Sequence, residues 1–350
     1  MTGKKSIGRK LSRGRRKAVT MAPEEMITGQ LLYAEKAIPY VIQPAVEGIN
    51  LSEWAENNRP YVESLFAKHR ALLFRDFAIE GVADFEAFVA ATSDGEPLEY
   101  RDRSTPRTSE GNRIYTSTIH PADQRINAHN EGTYWTKWAT KIYFSCMTAP
   151  AKGGQTPIFN VANVYNRLPI EIREKFKAKK WMLVRNYNDG FGLPWQEVFQ
   201  TDSREEVEAY CRAHDIQYEW KDDGRLRTRS IRPAIHTHPQ TQDPLWFNHA
   251  AFFHYTTLED EVREALLRDF GVDELPYNTY YGDGSPLDPA DVQVIRDAYE
   301  AEKVMFRWQP GDIMFLDNMY MAHGREPYKG ERLIVVAMTE PVGLAETALG

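Results

Sequence analysis

Cysteine is nearly missing from these 350 residues: Cys146 and Cys211 are the only two. Two distant thiols build neither a disulfide framework nor a zinc-ribbon spacing. Their scarcity suits a reducing compartment, so a cytoplasmic location is expected. Long apolar runs are missing as well. No stretch approaches the roughly 20 residues that cross a bilayer, and no membrane is expected among the partners. Internal repeats and long low-complexity linkers are also lacking, which leaves one domain, 26–350, behind a short N-terminal arm, 1–25. Acid is lacking from that arm: residues 1–20 carry eight Lys/Arg and no Asp/Glu, although the chain's net charge is −7. The remainder is thus strongly acidic, which argues against general nucleic-acid binding. The arm has no apolar core of the kind a secretory signal needs. It reads as a disordered, solvated tail, with contact to nucleic acid or an acidic partner as the alternative.

What is present is the composition of a soluble globular protein, 42% hydrophobic and 27% charged, long enough to bury an ordinary core. Helices are expected at 52–70, with an N-cap at Ser52, and at 82–93, 169–180, 203–214 and 259–270, the last started by Thr257. Short apolar strands are expected at 71–79, 141–148, 181–187, 304–309, 313–318 and 332–339. Many short strands with Pro/Gly turns, flanked by helices, indicate a mainly β fold: a jelly-roll or barrel core with helical additions.

The stretch NAHNEGTYW (127–135) places His129 and Glu131 two positions apart. In extended backbone such residues point to one side, because strand side chains alternate. The triplet alone is common, and a polar turn is the alternative reading. Downstream, IMFLDNMYMAHGREP (313–327) carries His323 just after a strand. Two imidazoles and one carboxylate on one face of an ion leave positions open and suit non-haem Fe(II). Arg332 begins an apolar strand nine residues on. Its planar fork matches a carboxylate, as the distal end of a 2-oxoacid would require. Thr156, in GGQTP (153–157), adds a hydroxyl after a turn.

The order H-x-E, GGQTPI, WFN and FLDNMYMAHGR…ERLIVVAM resembles the taurine dioxygenase and clavaminate synthase superfamily from roughly residue 60 to 340. Within it, NDGFGLPWQEVFQT, IQYEWKDDGRLRTR and WFNHAAFFH are similar to the syringomycin-type amino-acid β-hydroxylases. The resemblance implies a double-stranded β-helix (cupin-like) core and a dioxygenase using Fe(II), 2-oxoglutarate and O2. It carries the metal ligands onto His129, Glu131 and His323, and the co-substrate contacts onto Thr156 and Arg332. Glu131 follows the clavaminate branch where many relatives have Asp. It argues against the halogenase branch, which has a small residue there. Val336 stands where the taurine enzymes place a sulfonate-binding arginine, so taurine is not the expected substrate.

The implied reaction is hydroxylation of an amino acid, free or tethered to a carrier protein, in antibiotic or siderophore biosynthesis. Epoxidation, desaturation or cyclisation of an amino-acid derivative is the alternative outcome of the same chemistry. A non-catalytic jelly-roll binding protein is the alternative of a different class. Substrate contacts are open. Arg125 could hold a substrate carboxylate or be a surface arginine. Asn248 could meet the amino-acid backbone or be a structural amide. Tyr134 and Trp135 could wall the pocket or belong to the core. Asp317 and Asn318 could orient the ligands or merely end a strand. Arg225, Arg227 and Arg229 alternate along a strand and could receive an acidic carrier or guard a sheet edge.

Overall fold

The computed structural model describes residues 22–95, 98, 114–116, 120–187 and 192–347. Most of the basic arm and positions 188–191 of the NDGFGLPWQEVFQT stretch lie outside the described residues. The largest sheet has seven strands, in the order Ile27–Leu31, Tyr40–Pro44, Ala71–Phe74, Ile313–Asp317, Lys137–Thr148, Leu333–Gly343 and Tyr115–Thr116. Its two longest strands, Lys137–Thr148 and Leu333–Gly343, run antiparallel along their length.

Alternation decides what each face of this sheet buries. Tyr143, Phe315, Val335 and Ala337 face a helical layer, Leu51–Asn57, Arg59–His69 and Val82–Thr92, and join Phe66, Phe85 and Phe88 in one core. There Phe66 and Tyr143 sandwich Phe315 in stacked contacts of 4.0 and 4.4 Å. On the other face Ile142, Phe144, Cys146, Ile334, Val336 and Met338 pack in a second core with Ile158, Phe159, Met321 and Ala322. Those last four belong to a three-stranded sheet, Ile126–His129, Met321–Arg325 and Ile158–Asn160. The seven-stranded sheet, antiparallel except where Tyr40–Pro44 runs parallel to Ala71–Phe74, thus faces the antiparallel three-stranded sheet over an apolar interior, the arrangement expected of a double-stranded β-helix core. A four-stranded sheet, Ile216–Trp220, Leu226–Arg232, Trp181–Tyr187 and Tyr277–Tyr281, is inserted in the chain between Ile158–Asn160 and Ile313–Asp317. Among the described residues no helix is long and apolar enough to cross a membrane.

Several expected elements need correction. The 52–70 helix is two, Leu51–Asn57 and Arg59–His69, broken at Asn58 with Pro60 in the first turn of the second. Its cap is Asn50, whose side chain accepts from the Glu53 N–H at 3.0 Å, and Ser52 already lies inside. The 71–79 strand stops at Phe74. The 304–309 segment forms no ladder beyond a bridge from Val304 to Ile158. Val304, Phe306 and Trp308 are nonetheless buried, so the period-two pattern there recorded burial alone. The 259–270 helix begins at Asp260, and Thr257 instead ends a short 3-10 turn. Sequence reading missed the helix Pro289–Glu302, although Asp288 caps it and Pro289 opens it.

Candidate metal centre

His129 closes the strand Ile126–His129, and His323 sits directly opposite on Met321–Arg325 in antiparallel register. This pairing brings the two imidazole centroids to 4.5 Å. The Glu131 carboxylate lies 4.0 Å from His323 Nε2. The ligand atoms of His129, Glu131 and His323 all fall within 4.8 Å of one another. A cation binds such atoms at about 2.1 Å, so small side-chain rotations close the set around one ion. His129 Nδ1 lies 2.9 Å from the Asn127 carbonyl. A proton donated there leaves Nε2 as the lone-pair donor. Glu131 is buried, as is His323. A carboxylate withdrawn from water needs positive charge beside it, which a divalent ion supplies. The donor set therefore fits a 2-His-1-carboxylate metal site.

The strand itself does not carry Glu131 into place, because it ends at His129 and the backbone turns. The buried Asn318 aims the carboxylate. Its Oδ1 accepts from the Glu131 N–H at 2.8 Å, and its Nδ2 donates to the carbonyls of Glu131 at 3.0 Å and Ala139 at 2.8 Å. Asn130 Nδ2 returns a bond to the Asn318 carbonyl at 2.6 Å. Gly132 completes the turn at φ +78°, where an added Cβ would stand 2.4 Å from the Trp135 ring. Asp317 does a different job: its carboxylate joins Arg70 at 3.1 Å and His238 at 3.2 Å and caps the N–H of Met319 at 3.0 Å.

A narrow cleft runs from the two histidines past Phe144, Gly324 and Ile334 to Thr156, Arg325 and Arg332. Arg332 Nε donates to the Gly154 carbonyl at 3.1 Å, and Nη2 approaches Thr156 Oγ1 at 3.4 Å. Trp308 Nε1 donates to the same hydroxyl at 3.0 Å. Burial, with Arg325 adding to it, pushes the Arg332 guanidinium down to about 10. At neutral pH it remains a cation in a poorly hydrated place, where a carboxylate partner binds strongly. Gly154 permits the approach: its φ is +67°, and a Cβ would meet Pro150 at 2.6 Å. Arg325 was missed by sequence reasoning. Its guanidinium donates to the carbonyls of His120 and Gln124, each at 3.0 Å, and so pins the segment leading into the His129 strand. Its position two residues after His323, on the same strand face, was the available signal.

The other expected contacts are placed differently. Arg125 points outward, half exposed, and pairs with Glu326 at 3.1 Å. It lines an outer cavity with Phe159, Tyr299 and Arg296 and not the cleft. Asn248 is a structural amide, donating to the Ala234 carbonyl at 2.8 Å and accepting from the Ala250 N–H at 3.0 Å. Tyr134 is buried with its ring 5.7 Å from His249, close to the ligands yet part of the core. The arginine row is ion-paired: Arg225 with Asp223 and Glu274, Arg227 with Glu274, and Arg229 with Glu219. His254 is a buried turn residue with Nδ1 at 2.8 Å from Thr256 Oγ1. His249 stands beside the centre, 5.8 Å from the His129 ring, and burial pushes its pKa well below the ordinary histidine value.

A model of the family described as taurine catabolism dioxygenase TauD, TfdA matches residues 36–338. The dapdiamide synthesis protein DdaC of Enterobacter agglomerans is 39% identical over 281 residues, covering 80% of this chain and 85% of DdaC. A clavaminate synthase-like protein of Arabidopsis thaliana is 28% identical, covering 90% of this chain and 97% of its own. Among solved structures, PvcB of Pseudomonas aeruginosa superimposes with a TM-score of 0.53 at 14% identity, over 93% of this chain and 94% of PvcB. A further PvcB structure, described as an Fe, alpha-ketoglutarate dependent oxygenase from an isonitrile synthetic pathway, gives 0.52 over 92% and 93% at 14% identity. At that identity the likeness is one of fold.

Proposed function

This chain belongs to the TauD, TfdA family of dioxygenases, and from that premise we propose that it is an Fe(II)- and 2-oxoglutarate-dependent oxygenase that hydroxylates an amino acid or amino-acid derivative in natural-product biosynthesis. One observation carries the proposal: His129, Glu131 and His323 offer ligand atoms within 4.8 Å of one another, and Arg332 and Thr156 line the same cleft. Fe(II) held there with 2-oxoglutarate supplies the O2 chemistry that oxidises an unactivated carbon.

The chain's own residues bind and orient. His129, Glu131 and His323 would hold the ion, a donor set of the kind that leaves positions for exchangeable ligands. Arg332 would pair with the distal carboxylate of 2-oxoglutarate. Thr156, held by Trp308, adds a hydroxyl at the same end. Asn318 fixes the backbone of Glu131, so the carboxylate is preset before the ion arrives. Phe252, whose ring lies 4.9 Å from that of His129, helps keep water from the reacting side. The natural-product assignment is supported by the 39% identical relative named for dapdiamide synthesis, and the amino-acid assignment by the resemblance of WFNHAAFFH and IQYEWKDDGRLRTR to amino-acid hydroxylases. Residues 26–350 act as one catalytic unit in the cytoplasm, consistent with a chain whose two cysteines, Cys146 and Cys211, are both buried.

The experiment is an aerobic assay with Fe(II), 2-oxoglutarate and a panel of amino acids, free and carrier-loaded, followed by succinate release and product mass. Succinate coupled to a +16 mass product supports hydroxylation, or epoxidation of an unsaturated derivative. A −2 product reassigns the outcome to desaturation or ring closure. Absence of coupled succinate across the panel contradicts the proposal.

A further inference from the structure

His249 is the least explained polar group near the proposed metal centre. It is 3% exposed, and among the described residues neither ring nitrogen has a hydrogen-bond partner. The backbone at Asn130 lies close enough to favour a proton on the ring, but outside hydrogen-bond geometry. The ring sits among Phe252 at 5.1 Å, Phe253 at 5.2 Å, Tyr134 at 5.7 Å and His129 at 5.8 Å, with Trp181 meeting it edge-on at 6.5 Å. Buried polar groups are paired in folded proteins, and an exception calls for an explanation. An aromatic or aliphatic residue would fill this box without desolvating two nitrogens. The neighbouring amide, Asn248, satisfies the local backbone on its own, so the imidazole is not needed to shape the turn.

We infer that His249 is a specificity-determining residue, hydrogen-bonding a neutral amide or similar uncharged polar group of the substrate beside the metal. The inference rests on the oxygenase reading above. A neutral imidazole offers one donor and one acceptor, which matches the donor and acceptor of an amide. An anion would meet Glu131 and the negative ring faces of the box, and an aromatic enclosure with no counter-charge disfavours it. The placement fits the reaction: the His249 ring lies 5.8 Å from that of His129, so a group held on His249 would sit beside the proposed ligand set.

The test uses the full chain loaded with Ni(II), which does not turn over, and 2-oxoglutarate. Calorimetry first verifies that 2-oxoglutarate binds the wild type and each variant alike. Failure of the wild type to bind contradicts the oxygenase reading and not this one, whereas loss in the His249 variants alone overturns this inference. The loaded protein is then titrated with matched pairs: asparagine and aspartate, glutamine and glutamate, alaninamide and alanine, each also as the pantetheine thioester. The wild type is expected to prefer the amide of at least one pair by about tenfold or more, the loss a site suffers when a buried hydrogen bond goes unmade. His249→Phe should erase that preference, and His249→Gln, which keeps a donor and an acceptor, should restore it. Without ligand, His249→Phe should unfold at the same temperature as the wild type or higher. A fall in its midpoint of more than about 5 °C would show a structural imidazole and overturn the inference. So would equal or stronger binding of the charged members, a preference that survives in His249→Phe, or failure of every amide to bind.

Discussion

At the scale of single residues, the account separates groups that touch the ion or the oxoacid from groups that aim them. Glu131→Ala removes the anionic ligand, and Fe(II) affinity measured anaerobically should fall by more than the 10–100-fold typical of an outer partner. Asn318→Ala should fall within that 10–100-fold range, because Glu131 keeps its carboxylate but loses the bonds that orient its backbone. Equal metal affinity in Asn318→Ala and wild type would show that the turn holds without the clamp. Arg332→Met should raise the 2-oxoglutarate requirement by roughly 10–100-fold, the worth of hydrogen bonds to a charged group, with Fe(II) affinity unchanged. An unchanged requirement would assign the distal carboxylate to Arg325. The ligand types and their order could be read from the sequence, since H-x-E, a distant His and a strand-opening Arg carry recognisable chemistry. Asn318 was readable only as a candidate, because its partners lie some 180 positions away. Arg125 and Asn248 show the opposite limit: each has the right chemistry, but an ion pair to Glu326 and a backbone clamp, both tertiary, decide their use.

At the scale of elements, pattern predicts best where one rule dominates. The strand Trp181–Tyr187 and the helix Arg204–Ala213 were readable, the first at its expected bounds with the apolar run WMLV at its start, the second within a residue of the expected 203–214 at each end. The 304–309 segment has strand-like alternation and no ladder, because burial alone produces period two. The step that delivers Glu131 is a turn, and its glycine is a conformational requirement. Gly132→Ala places a side chain at positive φ against Trp135, so it should lower the thermal midpoint and weaken metal binding together. Gly154→Ala strains the turn under Arg332. It should raise the 2-oxoglutarate requirement while leaving the metal set intact, a split seen by titrating each ligand separately. Parallel losses of both ligands in Gly154→Ala would mean that the two ends of the cleft are one cooperative element.

At the scale of the whole molecule, two facing sheets hold the site, and acid should loosen it. Burial holds His236 and His254 at about 4 and pushes His249 well below the ordinary value, against an unfolded value near 6.5. The unfolded chain therefore binds more protons than the folded one once pH drops below about 6.5, and stability declines from there. The decline for His236 is complete near pH 4, at about 3 kcal/mol from the size of its shift. Asp243 and Glu274, held below the usual carboxylate range by Tyr320 and by Lys221 with Arg227, add a further loss at lower pH. Chemical denaturation from pH 7.5 to 4.5 should show a plateau down to about pH 6.5 and falling stability below it, and a flat profile from about pH 6.5 down to about pH 5 would contradict neutral burial of these rings. The jelly-roll class was readable from many short strands, whereas the facing of the sheets depends on pairings between segments far apart in the chain.

The most direct test of the central claim is the visible spectrum of the protein mixed anaerobically with Fe(II) and 2-oxoglutarate. A weak metal-to-ligand charge-transfer band is predicted in the wild type, lost in Glu131→Ala and in His323→Ala. A wild-type protein that gives no band, or variants that keep it, would contradict a metal centre built from His129, Glu131 and His323.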